Sequence, residues 1–228
     1  MKKEHLLAVL VLAITSAAIS GCGQMPPQQG AISYTALGAS DAVGVGAFPL
    51  SQGYVFRIRD DLENRGREVE LLNLGIPGAE VDAIKSVSKI VLLSGMRPNL
   101  VTLWTGANDL INGDDPGAFE EDLEDILKDL RDRTSAFIVI GDIPDLTKLP
   151  KFIQDPDSDV TVERVRAFND AIVRQAGNFN VSIARLSEID MFEELVSDID
   201  GFHPDNEGHK KIAERFLDVI LPEFELSN

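Results

Sequence analysis

The chain of 228 residues carries three histidines, His5, His203 and His209, and they differ sharply in what surrounds them. His203 closes the run Asp200-Gly201-Phe202-His203-Pro204, with a carboxylate three residues before the imidazole. His5 falls in an N-terminal segment that reads as a leader, and His209 has no acidic partner at a comparable spacing. An imidazole backed by a carboxylate is a general base looking for a nucleophile, because the acid fixes the tautomer and steadies the imidazolium. Serine needs such a base, being a poor nucleophile at its own pKa. The candidate is Ser40, the lone hydroxyl in "LGASDAVGVGA", a run of small residues directly after an apolar stretch. Acyl transfer also needs fixed donors for the developing oxyanion. The backbone N–H groups of Ser40 and Gly75 and the side-chain amide of Asn108 could supply them.

Other chemistries fit the same residues less well. A dinucleotide-binding turn wants G-x-G-x-x-G at the start of a helix. Here Gly44-Val45-Gly46 runs on into Ala47, Phe48 and Pro49, without the third glycine, and there is no Gly-Lys-Ser/Thr. His203 and His209 have no zinc-ligand spacing to other His, Cys or paired carboxylates, so neither a metal nor another cofactor is expected. Each candidate also has a plainer use. Gly75 and Gly78 suit a tight turn after a strand, and Asn108-Asp109 could cap a following helix.

The elements that must position these residues alternate. Short apolar runs at Ile32–Leu37, "EVELLNL", "NLVTLW", "AFIVIGD" and "NVSIARL" read as strands. Between and after them, helical spacing covers Gly53–Gly66, Ala79–Leu93, Phe119–Leu130, Val160–Ala176 and Glu207–Val219. Strands separated by helices of this length predict a parallel sheet covered on both faces. In such sheets sites gather at the carboxyl ends of the strands. Ser40, Gly75, Asn108 and Asp142 each follow a strand directly, and the Asp200–His203 run precedes the last helix.

The N-terminus reads as an address. "MKKEHLLAVLVLAITSAAISGCG" has a basic end, a short apolar core and a small-residue region ending in Ile19-Ser20-Gly21-Cys22. That layout is a secretory signal. It resembles the lipobox of bacterial lipoproteins, in which the cysteine becomes the first mature residue and carries lipid. Cys22 is the only cysteine, so no internal disulfide can form. The expected organisation is a lipoprotein signal peptide over residues 1–21, a Pro- and Gly-rich tether over 22–31, and one catalytic domain over 32–228. The product would be exported and held at a membrane face through Cys22. A formal charge of −17 argues against nucleic acid, whose phosphates need Lys and Arg on the contact face.

Four short blocks, in order, carry a resemblance to the SGNH hydrolase superfamily, the GDSL-type esterases and lipases. "LGASD" is similar to its nucleophile block, "NLGIPG" to its glycine block, "TGAND" to its asparagine block and "DGFHP" to its last block. The resemblance extends from about Ile32 to the end of the chain. It implies an α/β fold, a three-layer α/β/α sandwich on a mostly parallel five-stranded flavodoxin-like sheet. It implies a catalytic triad of Ser40, Asp200 and His203, oxyanion donors at Ser40, Gly75 and Asn108, and a monomer working without a cofactor on a small-molecule ester or lipid. One departure stands out: the family's Gly-Asp-Ser has Ala39 at its middle position, which removes a side chain that steadies the loop. Apolar residues near the blocks (Val43, Val45, Phe48, Ile76, Ile111, Ile143, Phe202) favour an acyl chain over a bare acetyl group. A carbohydrate or cell-wall O-acetyl esterase is the alternative within enzymes. An inactive, surface-anchored binding module is the alternative outside them.

Overall fold

Five β-branched- and leucine-rich segments pair side by side in the computed structural model, which describes residues 31–190 and 193–225. The leader, Cys22 and all of the tether but Ala31 lie outside the described residues. Strand β1 (Ile32–Gly38) leads through the short helix α1 (Ser40–Val43) and helix α2 (Tyr54–Asn64) to β2 (Val69–Gly75). Helix α3 (Val81–Leu93) precedes β3 (Leu100–Trp104), and α4 (Ala107–Ile111) and α5 (Pro116–Arg133) precede β4 (Phe137–Gly141). Helices α6 (Pro150–Gln154) and α7 (Val162–Asn178) lead to β5 (Ser182–Ala184), and α8 (Asn206–Glu225) ends the described chain.

The strand order is β2-β1-β3-β4-β5, and every pairing is parallel. Helices α2 and α8 pack together over one face, while α3, α5 and α7 pack in a row over the other. The expected three-layer α/β/α sandwich with a five-stranded parallel sheet is what the chain forms. Burial on both faces explains the strand compositions: all five residues of β3 are buried, as the near-continuous apolar run predicted. A buried polar pair in this layer satisfies itself, Tyr34 Oη and Thr102 Oγ1 lying 2.8 Å apart.

Chain order reverses on either side of β1, which pairs with β2 on one edge and β3 on the other. Between β1 and β3 the connections leave in opposite directions, and a crevice opens at the carboxyl ends of the two strands. Gly38 and Trp104, the last residues of these strands, are register partners. The segments that follow them carry Ser40 and Asn108.

Several elements differ from their sequence-based bounds. Helix α5 starts three residues earlier than the Phe119 start predicted, because Asp115 accepts from the Gly117 and Ala118 N–H groups with Pro116 at the first helical position. Helix α8 runs on past Val219 to Glu225, with Pro222 inside it. The last strand is only Ser182–Ala184, because the Asp142 carboxylate accepts from both the N–H and the hydroxyl of Ser187, at 2.7 Å each, and draws the chain off the sheet.

Candidate active site

The loop that carries Ser40 is held by its backbone. Ser40 opens α1, where its N–H has no carbonyl one turn back in the helix to bond to. Gly44 N–H donates to Asp41 O at 3.0 Å and Val45 N–H to Ser40 O at 3.1 Å, closing a tight turn around the serine. The Asn73 side chain ties it to β2, donating to Ala42 O at 2.6 Å. With these bonds in place Ala39, which is buried, leaves the turn intact without a side-chain hydrogen bond of its own. The glycines that follow serve close approach. Gly46 has a φ of +94°, and a Cβ there would collide with the Pro204 carbonyl and the His203 Cβ. Its absence lets the serine loop press against the histidine loop.

That contact completes a chain of three side chains. His203 Nε2 lies 2.8 Å from Ser40 Oγ, and His203 Nδ1 lies 2.6 Å from Asp200 Oδ2. Asp200 Oδ1 accepts from the backbone N–H groups of Phe202 at 3.0 Å and His203 at 3.1 Å, so both carboxylate oxygens are engaged. Burial works against the Asp200 charge, but the His203 ring and these two N–H groups outweigh it and hold its pKa below the ordinary carboxylate value. An ionised Asp200 places the proton on Nδ1 and leaves the Nε2 lone pair toward the serine hydroxyl. The residues of one Asp-x-x-His run and a serine near the start of the domain are thereby in register for proton transfer.

The donors are arranged less simply. Asn108 Nδ2 donates one hydrogen to Ala79 O at 2.8 Å, which pins the amide and leaves its second hydrogen for a ligand. Asn108 lines a small cavity that also meets Ala39 and Asp41, the two neighbours of Ser40. Gly75 is different. Its N–H already donates to Asn73 Oδ1 at 3.0 Å, so an oxyanion would have to share it. The glycine is required on packing grounds, since a Cβ would stand 2.8 Å from Val43 N and 3.0 Å from Ala39 O. Of the three donors expected from the sequence, the Ser40 N–H and the Asn108 amide are open and the Gly75 N–H is occupied.

Neighbouring polar residues that the sequence left ambiguous take structural roles. Asp109 Oδ1 accepts from Val81 N–H at 2.9 Å, at the start of α3, so it ties down a preceding helix and does not cap a following one. Burial pushes its carboxyl up to about 6. His209, fully buried, accepts from Tyr54 N–H through Nδ1 at 3.3 Å and donates through Nε2 to Val45 O at 3.0 Å. Burial holds its pKa down at about 4, so it stands neutral as a strut behind the serine loop. Nothing in the local sequence signals that role, because both partners lie in a distant part of the chain. Among the described residues no group of His, Cys, Asp and Glu is gathered as a metal ion would require.

Of the apolar residues expected to shape an acyl site, Phe202 alone lines the cavity beside Ser40. Ile143 is buried in the core and Phe48 is almost fully exposed.

Comparison with known proteins bears on this geometry. Residues 33–211 match the GDSL-like lipase/acylhydrolase family. Among solved structures, TesA superposes with a TM-score of 0.70 at 20% identity, covering 83% of this chain and 98% of its own. A family 3 carbohydrate esterase from Clostridium thermocellum gives 0.68 at 19% identity, covering 86% of this chain and 98% of its own. The acetyl xylan esterase AlAXEase gives 0.67 at 18% identity, covering 83% and 100%. At these identities the shared feature is the fold. No curated protein matches the sequence.

Proposed function

Because the chain belongs to the GDSL-like lipase/acylhydrolase family, within the SGNH hydrolases, we propose that it hydrolyses carboxylic esters through an acyl-enzyme on Ser40. The observation that carries this is the unbroken relay Ser40 Oγ–His203 Nε2 at 2.8 Å and His203 Nδ1–Asp200 Oδ2 at 2.6 Å. Ser40 Oγ attacks the ester carbonyl carbon while His203 Nε2 takes the hydroxyl proton, and Asp200 steadies the imidazolium. The carbonyl oxygen, now negative, receives hydrogen bonds from the Ser40 N–H and the free hydrogen of Asn108, with Gly75 N–H available by sharing. As the tetrahedral species collapses, the C–O bond to the alcohol breaks and His203 returns the proton to that oxygen. Water then repeats the sequence on the acyl-Ser40 ester and releases the carboxylic acid.

Two substrate classes stay in view, acyl or lipid-type esters and carbohydrate or cell-wall O-acetyl esters. The N-terminal lipobox supports export and anchoring through lipidated Cys22, so that the site works at a membrane face on a small-molecule ester. Incubation with a fluorophosphonate followed by peptide mass spectrometry tests the nucleophile. Label on Ser40 alone, lost in Ser40→Ala, supports the mechanism. An unlabelled protein points to the inactive binding module instead.

A further inference from the structure

Helix α4 carries the Asn108 amide, yet it is too short to orient that amide by itself. It has five residues, and its N-cap is Gly106, in the left-handed region at φ +103°, which has no side chain to cap it. A helix of this length keeps its place only through contacts with its surroundings. Arg164 fixes the far end, donating through Nη2 to Leu110 O at 3.2 Å and to Asp114 O at 2.8 Å. The near end is held by the segment between β2 and α3. Asn108 Nδ2 donates to Ala79 O at 2.8 Å, and Val81 N–H donates to Asp109 Oδ1 at 2.9 Å. Asn112, the C-cap of α4, donates through Nδ2 to Glu80 Oε1 at 2.6 Å. Three side chains thus grip three consecutive residues.

The first two of these bonds close a ring. Asn108 and Asp109 are neighbours, and Ala79 and Val81 are two residues apart. A shift of Val81 against Asp109 therefore moves the carbonyl that pins the Asn108 amide. Of the three side chains only Asp109 is buried, and its Oδ2 has no hydrogen-bond partner among the described residues. An apolar side chain of the same shape would fill this space without the cost of burying a carboxylate. We propose that Asp109 is a positioning residue for ester hydrolysis, setting through Val81 and Ala79 where the second amide hydrogen of Asn108 points. The proposal rests on Ser40 being the nucleophile and Asn108 an oxyanion donor.

A double-mutant cycle on p-nitrophenyl acetate tests it, with the full chain as wild type, Asn108→Ala, Asp109→Ala and the double variant. Misplacing a reacting group by about 1 Å can cost on the order of 10²-fold, so Asp109→Ala should lower kcat roughly 10–100-fold with KM little changed. Asp109→Asn keeps an oxygen for Val81 N–H and should recover most of that loss. In the Asn108→Ala background the donor is already gone, and removing Asp109 should lower kcat by less than about threefold. Asp109→Leu, close to aspartate in shape, replaces Asp109→Ala in the cycle if that variant fails to fold by circular dichroism. Equal losses in both backgrounds, a loss confined to KM, or an Asp109→Asn variant as slow as Asp109→Ala overturns the positioning role and leaves hydrolysis on Ser40 standing. A wild type no faster than Ser40→Ala overturns the hydrolase reading and this proposal with it.

Discussion

His203 Nε2 lies 2.8 Å from Ser40 Oγ across a sequence separation of 163 residues. The approach is made by two loops in direct contact, one after β1 and one before α8, with Gly46 between them where no Cβ could fit. His209 braces the same contact from behind by holding Val45 O.

The carboxylate behind the histidine should matter to rate far more than to folding. In Asp200→Asn the remaining side-chain carbonyl can still accept from the Phe202 and His203 N–H groups, so the variant should fold, less stable than wild type at pH 7 only by what the ionised carboxylate contributes. The imidazole tautomer would be lost, and kcat should fall by roughly 10³–10⁴. The linkage has a definite sign. A carboxyl whose folded pKa is depressed adds stability above its unfolded value and loses it as pH falls through the folded value. Wild type and Asp200→Asn should therefore converge in stability in strong acid. Parallel pH–unfolding curves and near-normal kcat would contradict the assignment.

Asn108 should act on the transition state. In the proposed mechanism its second amide hydrogen donates to the oxygen that becomes negative only as the bond forms, so Asn108→Ala should lower kcat on the order of 10²–10³ with KM little changed. Steady-state kinetics on a single ester decides this. A rise in KM with kcat intact would move Asn108 to ground-state binding.

His209 should make stability depend on pH. Its pKa stands at about 4 in the folded protein against an ordinary 6.5, so between these values the unfolded chain binds a proton that the folded chain refuses. The neutral imidazole's contribution is complete above pH 6.5 and is lost as pH falls toward 4, roughly 3 kcal/mol in all. Asp41 and Asp109, both pushed up to about 6, push the opposite way. The comparison is therefore with His209→Gln, which keeps those two acids. The stability advantage of wild type over that variant should be largest near pH 7 and shrink by pH 4.5 in urea titrations. A constant difference would place the His209 pKa near its ordinary value.

Much of this site is legible in the sequence because its parts sit where an alternating β/α chain must expose them. Ser40 and Asn108 each follow a strand, Gly75 ends one, and Asp200 and His203 share one short run, so strand periodicity and local spacing suffice to find them. What escapes is set by contacts between distant segments. The engagement of Gly75 N–H by Asn73, the service of Asp109 to Val81 and the strut formed by His209 depend on packing that local pattern does not encode. The apolar residues around the blocks divide in a way that local pattern does not show. Periodicity marks Ile143 and Phe202 alike as apolar but does not say that Ile143 is buried in the core while Phe202 lines the cavity beside Ser40. The early start of α5 was within reach, since Asp115-Pro116 is a helix-opening pair.

The most direct test of the central claim is kcat/KM of the full chain and of Ser40→Ala on p-nitrophenyl acetate under identical conditions. Turnover by the wild type with a loss of several orders of magnitude in Ser40→Ala, down to whatever rate binding and the oxyanion donors alone sustain, is the predicted result. Equal rates in the two proteins would contradict it.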